Sequence, residues 1–334
     1  MTILPSVDHL GNWRINDMTG KKIRNVGDAI AQLRAHFVST DRYTAIDDQF
    51  QLLLQKRRAD IREGRTTEAR CIALIGSSGS GKTTAIERLC RLNAASSKQR
   101  KNDISEVVSL RVPSPATLKF VGQTILRSLG YDLRTERQAW YIWDLVRFHA
   151  KERGVLFLHL DEAQDLSARG TERERQAVVN MLKSLMQDQT WPVGFILSGT
   201  HELKEILNFD AQLGRRVFPI QLEPLDALND GADVRELVSA YCDKSGLTAD
   251  DALSSGDFTA RLVHAAANEF GLVIELVIAA IEEALILEQQ ELTALMFADA
   301  FRRRSGCLDG LNPFLIDGFE HIDPRAILNR SEVM

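Results

Sequence analysis

The chain has 334 residues, is 44% hydrophobic and 26% charged, and carries a formal net charge of −5. These values are ordinary for a soluble globular protein and suggest two or three compact units. They exclude a chain that is basic throughout, while leaving room for a local basic patch that binds nucleic acid.

The four cysteines, Cys71, Cys90, Cys242 and Cys307, are scattered without metal-type pairing and suit reduced thiols better than a disulfide framework. The first residues, Met1-Thr2-Ile3-Leu4-Pro5, lack the basic stretch and apolar run of a secretory signal. The longest apolar region, Gly271 to Leu287, is interrupted by Glu275, Glu282 and Glu283, which marks a buried or lid helix and no membrane span. A cytoplasmic location is expected.

Residues 1–66 are mixed, with a helix over Ala45–Arg62 and a polar break at Gly64–Thr67. Strands then alternate with helices. Strand readings fall at Cys71–Ile75, Val107–Val112, Val155–Leu160, Val193–Ser198 and Val217–Leu222, with helical patterns at Thr117–Leu129, Arg137–Arg153 and Arg173–Gln189. This order implies right-handed β-α-β units and a parallel sheet covered on both faces, an α/β core over residues 67–225. From 226 to 304 the pattern is helical only: Ala232–Ser245, Asp257–Glu269, Leu272–Gln289 and Ala294–Arg304. Residues 305–334, with Gly306, Gly310, Pro313, Gly318 and Pro324, read as an extended tail.

The first strand runs into Gly76, Ser77, Ser78, Gly79, Ser80, Gly81, Lys82 and Thr83, which satisfy every fixed position of the phosphate-loop pattern G-x-x-x-x-G-K-[ST]. Thr84 begins the amphipathic stretch Thr84–Cys90. Small residues let the backbone wrap a phosphate, and amides with the helix N-terminus face the anion. Lys82 is expected to reach the β- and γ-phosphates and Thr83 to bind Mg²⁺. The chain is read as binding a nucleoside triphosphate.

Downstream, the apolar strand Val155–Leu160 ends in Asp161-Glu162-Ala163-Gln164. Asp161 is expected to hold Mg²⁺ through its water shell, and Glu162 to activate the attacking water. His159 breaks the apolar run and reads as a hydrogen-bonded structural histidine; Gln164 is placed at the water or the sheet edge. The strand Phe195–Leu197 ends in Ser198-Gly199-Thr200, where strand C-termini line the ligand crevice of such sheets. Thr200, and behind it Ser198, either senses the γ-phosphate or water or caps a helix at His201–Leu207. Arg215 and Arg216 follow that helix; the pair either offers a bidentate cation to a neighbouring subunit's phosphate or forms an ordinary solvated basic turn.

Taken together, Gly76–Thr83, Asp161-Glu162-Ala163-Gln164, Leu197-Ser198-Gly199-Thr200, the Arg215-Arg216 turn and the helical region resemble an AAA+ ATPase. The match sharpens toward the TniB/TnsC regulators of DNA transposition, related more distantly to MuB, with Asn312-Pro313-Phe314 as a further shared element. The resemblance covers roughly residues 45 to 320. It implies an AAA+ P-loop NTPase core followed by an all-helical lid (226–304), ATP and Mg²⁺ as ligands, and a slow, regulatory ATPase. It also implies rings or helical filaments of this chain on double-stranded DNA, a target-selector partner of the TniQ type, and transposase subunits. Two positions depart from the pattern: no arginine stands in Gly271–Glu275, where many such lids carry a second sensor arginine, and the finger turn reads Arg216-Val217-Phe218 rather than Arg-Phe. In the related proteins the segment between the second strand and the Asp-Glu strand contacts DNA. Here it offers Lys119, Arg111 and Arg127, with Arg134, Arg137 and Thr117, after an earlier basic turn at Lys98–Lys101. Non-specific phosphate contacts of this kind add along a filament. The apolar tail groups Leu311, Phe314, Leu315 and Ile316 either dock a transposase subunit or pack on the chain's own lid. The rival readings are a secretion ATPase of the ExeA type and a signalling NTPase that binds protein.

Overall fold

Cys71–Ile75, buried at all five positions, form β1, the strand on which the sheet is built. In the computed structural model, which describes residues 20–97, 105–113, 116–166 and 171–328, β1 pairs in parallel with two strands. The basic turn Lys98–Lys101 lies outside the described residues. The described residues divide into two units, one within 39–224 together with 269–271, the other within 20–38, 225–268 and 272–328.

In the first unit, β1, β2 (Val107–Arg111), β3 (Phe157–Asp161), β4 (Gly194–Gly199) and β5 (Val217–Gln221) form a five-stranded sheet in the order β2-β3-β4-β1-β5. All pairings are parallel, so every strand delivers its C-terminal end to the same edge. The helices are α2 (Asp41–Arg62), α3 (Lys82–Ser97), α4 (Leu118–Ser128), α5 (Ala139–Glu152), α6 (Glu172–Met186), α7 (Leu203–Phe209) and α8 (Ala211–Gly214). Parallel strands need such crossovers, and a sheet covered on both faces explains strands that read as continuous apolar runs.

The two sheet faces have different chemistry. Leu110, Leu158, Leu160, Phe195 and Leu197 point into one core with Val121 and Ile125 of α4, Ile142 and Val146 of α5, and Leu182 of α6. Full burial of such side chains contributes about 1.5–3 kcal/mol each. Alternation sends Phe157, His159 and Asp161 of β3 to the other face, where Phe50 of α2 meets Phe157 edge-on at 5.6 Å.

Helix α2 starts at Asp41, four residues before the apolar pattern, because the Thr40 side chain accepts the Tyr43 amide as a cap. A reciprocal Thr171/Glu174 capping box starts α6. Helix α5 buries Ile142, Trp143, Val146 and Ala150, while Trp140 is 67% and Phe148 57% exposed.

The second unit holds α1 (Gly20–Ala35), α9 (Gly231–Ser245), α10 (Gly256–Ala265), most of α11 (Phe270–Ile286) and α12 (Ala294–Ser305). Helix α1 was not read from the sequence. The region 226–304 is also not purely helical: β6 (Thr248–Ala249) and β7 (Glu291–Leu292) pair in parallel, each too short to leave a periodic signal.

The tail is not extended but folds back on its own unit. Asn312 is fully buried, with Nδ2 donating to the Ala298 carbonyl at 2.8 Å. The Phe314 ring sits 5.9 Å from Phe297 and 6.0 Å from Phe258. Arg261 donates to the carbonyls of Pro313 (2.8 Å) and Ile316 (2.6 Å).

Candidate functional site

The site is built on the strand ends that parallel pairing brings to one edge. Beyond Ile75 the chain turns through Gly76–Gly81 into α3, with the Gly76 amide donating to the Gly199 carbonyl at 3.1 Å. Gly79 and Gly81 have φ of 87° and 92°, the left-handed region that glycine enters without steric cost, and turns of this kind are the ones in which successive amides can form an anion-binding concavity. Lys82, 9% exposed, donates to the carbonyls of Gly76 (2.8 Å) and Ser77 (2.7 Å) and to Ser80 Oγ (3.3 Å). Burial pushes its ammonium below the ordinary lysine value, opposed by the carboxylates of Glu162, Asp161 and Glu269.

Backbone packing holds the loop from a further side. The first turn of α11 comes so close that a Cβ on Gly271 would lie 2.5 Å from the Gly79 carbonyl oxygen and 3.1 Å from the Gly81 nitrogen. Only a residue without a side chain fits that approach. In the sequence Gly271 stands out by the arginine absent after it, whereas the glycine itself is the signal for its place against the loop.

At the end of β3, Asp161 accepts from Thr83 Oγ through Oδ2 (3.2 Å) and from Ser198 Oγ through Oδ1 (2.6 Å). Glu162 follows with φ 54°, a left-handed conformation that costs a non-glycine residue energy and concentrates at functional sites. Its carboxylate accepts from Gln164 Nε2 at 2.6 Å and faces Arg111 Nη2 at 3.5 Å. The other end of the Gln164 amide accepts the Thr200 N–H at 3.2 Å.

Thr200 thus meets the site through its backbone. Its hydroxyl donates to Glu202 at 3.0 Å, and it makes no side-chain cap to α7. Ser198 is fully buried between His159 (2.7 Å) and Asp161, so it faces the carboxylate rather than open crevice. His159 is hydrogen-bonded through both ring nitrogens, the second to Ser109 Oγ at 2.7 Å. Burial pushes its pKa down to about 4, opposed by the Asp161 charge.

The paired arginines part company. Arg216 is 8% exposed and donates to both carboxylate oxygens of Glu68, at 3.0 and 2.7 Å, and to the Gln212 carbonyl. Arg215 is exposed, and its carbonyl accepts from Arg70 at 2.9 Å. The three residues read as DNA contacts fall on two elements, Arg111 on β2 and Lys119 and Arg127 at opposite ends of α4. Arg111 ends β2 at Glu162, with its side chain 76% exposed. Lys119, on the first turn of α4, pairs with Glu136. Arg127, on the last turn, is 72% exposed, with Asp132 at 3.9 Å. Arg137 lies over the Tyr141 ring at 5.5 Å.

The oxygen donors of Thr83 and Asp161 are the hard ligands that Mg²⁺ takes, and the amide-lined loop with Lys82 fits a triphosphate. Among the described residues, no helix is long and apolar enough to cross a membrane.

The profile of the family described as "Bacterial TniB protein" matches residues 30–226, more than half of the chain. No curated protein matches it in sequence. Among solved structures, the chain is similar to the Orc1 protein of Aeropyrum pernix, determined in complex with DNA: TM-score 0.61, 14% identity, covering 80% of this chain and 66% of that one. It is also similar to Cdc6p of Pyrobaculum aerophilum, with TM-score 0.59 and 15% identity, covering 83% of this chain and 70% of that one. The Orc2 protein of Aeropyrum pernix gives TM-score 0.54 and 15% identity, covering 79% and 69%. At such identities the likeness establishes the fold.

Proposed function

Because the chain belongs to the TniB family and has the AAA+ P-loop NTPase fold, we propose that it is an ATP-dependent regulator of DNA transposition. It assembles with ATP on double-stranded target DNA and couples a target selector of the TniQ type to transposase subunits. The observation that carries this reading is the convergence of Lys82, Thr83, Asp161 and Glu162 on one strand edge of a TniB-family chain.

Each residue has a task that its surroundings support. Lys82, whose donors turn onto loop carbonyls, swings them to the β- and γ-phosphates. Thr83 and Asp161 would hold Mg²⁺, which when bound neutralises charge on the phosphates. Glu162, oriented by Gln164, takes the proton from the attacking water. Arg215, free of the Glu68 pairing that occupies Arg216, is the arginine offered to a neighbouring subunit's γ-phosphate. The nucleotide then acts as a clamp between subunits, and hydrolysis releases it. Lys119, Arg111 and Arg127 are the proposed phosphate contacts, repeated by every subunit of a ring or helical filament.

Electron microscopy and gel shift with a DNA duplex, with and without a non-hydrolysable ATP analogue, test the reading. Assemblies on DNA that require the analogue and weaken with salt are expected. Failure to bind duplex at any salt concentration with the analogue present overturns it in favour of a protein-binding NTPase.

A further inference from the structure

One hydrogen-bonded line crosses the sheet behind the carboxylate. Ser109 on β2, His159 on β3 and Ser198 on β4 share a sheet face, since Ser109 is in register with His159, and His159 with Ile196, two residues before Ser198. The distances are 2.7 Å from Ser109 Oγ to Nδ1, 2.7 Å from Nε2 to Ser198 Oγ, and 2.6 Å from Ser198 Oγ to Asp161 Oδ1.

The direction of every proton in this line follows from its last member. A carboxylate oxygen only accepts, so the single Ser198 proton goes to Asp161. Ser198 Oγ must then accept from the ring, which puts the imidazole proton on Nε2. In the neutral imidazole Nδ1 is then the acceptor, and the Ser109 hydroxyl donates to it. His159 is 2% exposed and Ser198 fully buried, so water does not compete for the bond between them. With Oδ1 fixed by Ser198, the free edge of the Asp161 carboxylate, Oδ2, is the one turned to Thr83.

We infer that His159 is a positioning residue: gripped by Ser109, its ring sets the direction of the Ser198 hydroxyl, which orients the Asp161 carboxylate toward Thr83. The inference rests on the reading that Thr83 and Asp161 hold the cation of a bound nucleotide. Partners behind a metal-holding group commonly change metal affinity 10–100-fold when removed. Ser109, on an edge strand and exposed, is replaceable by water, so its loss matters less than that of His159.

The test is binding of a fluorescent ATP analogue titrated with Mg²⁺. His159→Phe is expected to raise the Mg²⁺ concentration for half-maximal binding about tenfold or more. Affinity without Mg²⁺, set by the loop and Lys82, stays at the wild-type value. His159→Gln, whose amide can still donate to Ser198, falls between the two, and Ser198→Ala, which removes one oxygen, matches His159→Phe and serves if that variant does not fold. Long-range ¹H–¹⁵N correlation of the wild-type ring at neutral pH is expected to show the proton on Nε2. An unchanged Mg²⁺ requirement, an equal loss with and without Mg²⁺, or a proton on Nδ1 overturns the inference. A wild-type protein whose analogue binding ignores Mg²⁺ overturns the nucleotide-site reading, and the inference with it.

Discussion

Gln164 holds Glu162 through a 2.6 Å bond while its carbonyl oxygen takes the Thr200 amide, so one side chain ties the end of β3 to the end of β4. Shortening it to Ala removes the shorter contact on the Glu162 carboxylate, leaving Arg111 at 3.5 Å, and does not touch the phosphate loop. Q164A is expected to lower the single-turnover hydrolysis rate about tenfold or more, short of the 10²–10⁴-fold attached to a general base itself. Nucleotide affinity should stay near wild type. Gly199→Ala reaches the same end by another route, since its Cβ would lie 2.4 Å from Gln164 Oε1.

Glu162 occupies its place at a backbone cost. A non-glycine residue at φ 54° stores on the order of 1–3 kcal/mol. Glu162→Gly is expected to abolish hydrolysis without lowering the thermal midpoint, because released strain offsets the added chain entropy. A clear loss of stability in calorimetry would mean that the side chain is structural.

The two arginines separate by assay. Arg216→Ala breaks a bidentate pair, but Glu68 is 44% exposed and stays hydrated, so a cost of about 1–2 kcal/mol is expected in urea unfolding. Arg215→Ala should leave unfolding unchanged and reduce ATP turnover only at concentrations where subunits associate. Equal turnover across all concentrations would remove Arg215 from the trans role.

Gly271 offers a test of the loop's backing. A Cβ there meets backbone, which cannot turn aside as a side chain end can. Overpacking of ~1–3 kcal/mol corresponds to roughly five- to 150-fold in affinity. Gly271→Ala is expected to weaken nucleotide binding within that range, measured by calorimetric titration.

A pH effect is built into the second unit. Burial pushes Glu283 from the ordinary 4.5 up to about 7, with Asp299 and Glu282 adding to the rise and Arg303 opposing it. A carboxyl whose folded pKa is raised is protonated in both states below 4.5, and that side of the window is the more stable. Stability then falls as pH rises toward 7 and levels off above it. The fall is on the order of 3 kcal/mol, at about 1.36 kcal/mol for each pKa unit. Glu283→Gln is expected to flatten the profile of urea midpoints between pH 5 and pH 8.

What the residues announce in advance is local. The strand–loop–helix at Cys71–Cys90 and the acidic end of β3 are legible because their spacing is contiguous, as is the Thr171/Glu174 start of α6. What stays hidden depends on partners far along the chain. Arg216 and Arg215 look alike until Glu68, 148 residues away, claims one of them. Ser109 and Ser198 read as unremarkable strand serines until sheet register sets them on either side of His159. The tail's Gly and Pro residues suggested an extended segment, and only the Ala298 carbonyl shows where Asn312 goes.

Helix α5 carries two indoles three residues apart, Trp143 at 6% and Trp140 at 67% exposure. Their emission should differ in colour, the first blue and steady, the second red and open to quenchers. Anything that settles on that stretch of surface, whether DNA, another subunit or a protein partner, will shift Trp140 and leave Trp143 as an internal standard. Trp140→Phe subtracts the reporter, so occupancy of this face can be followed in solution without attaching a dye.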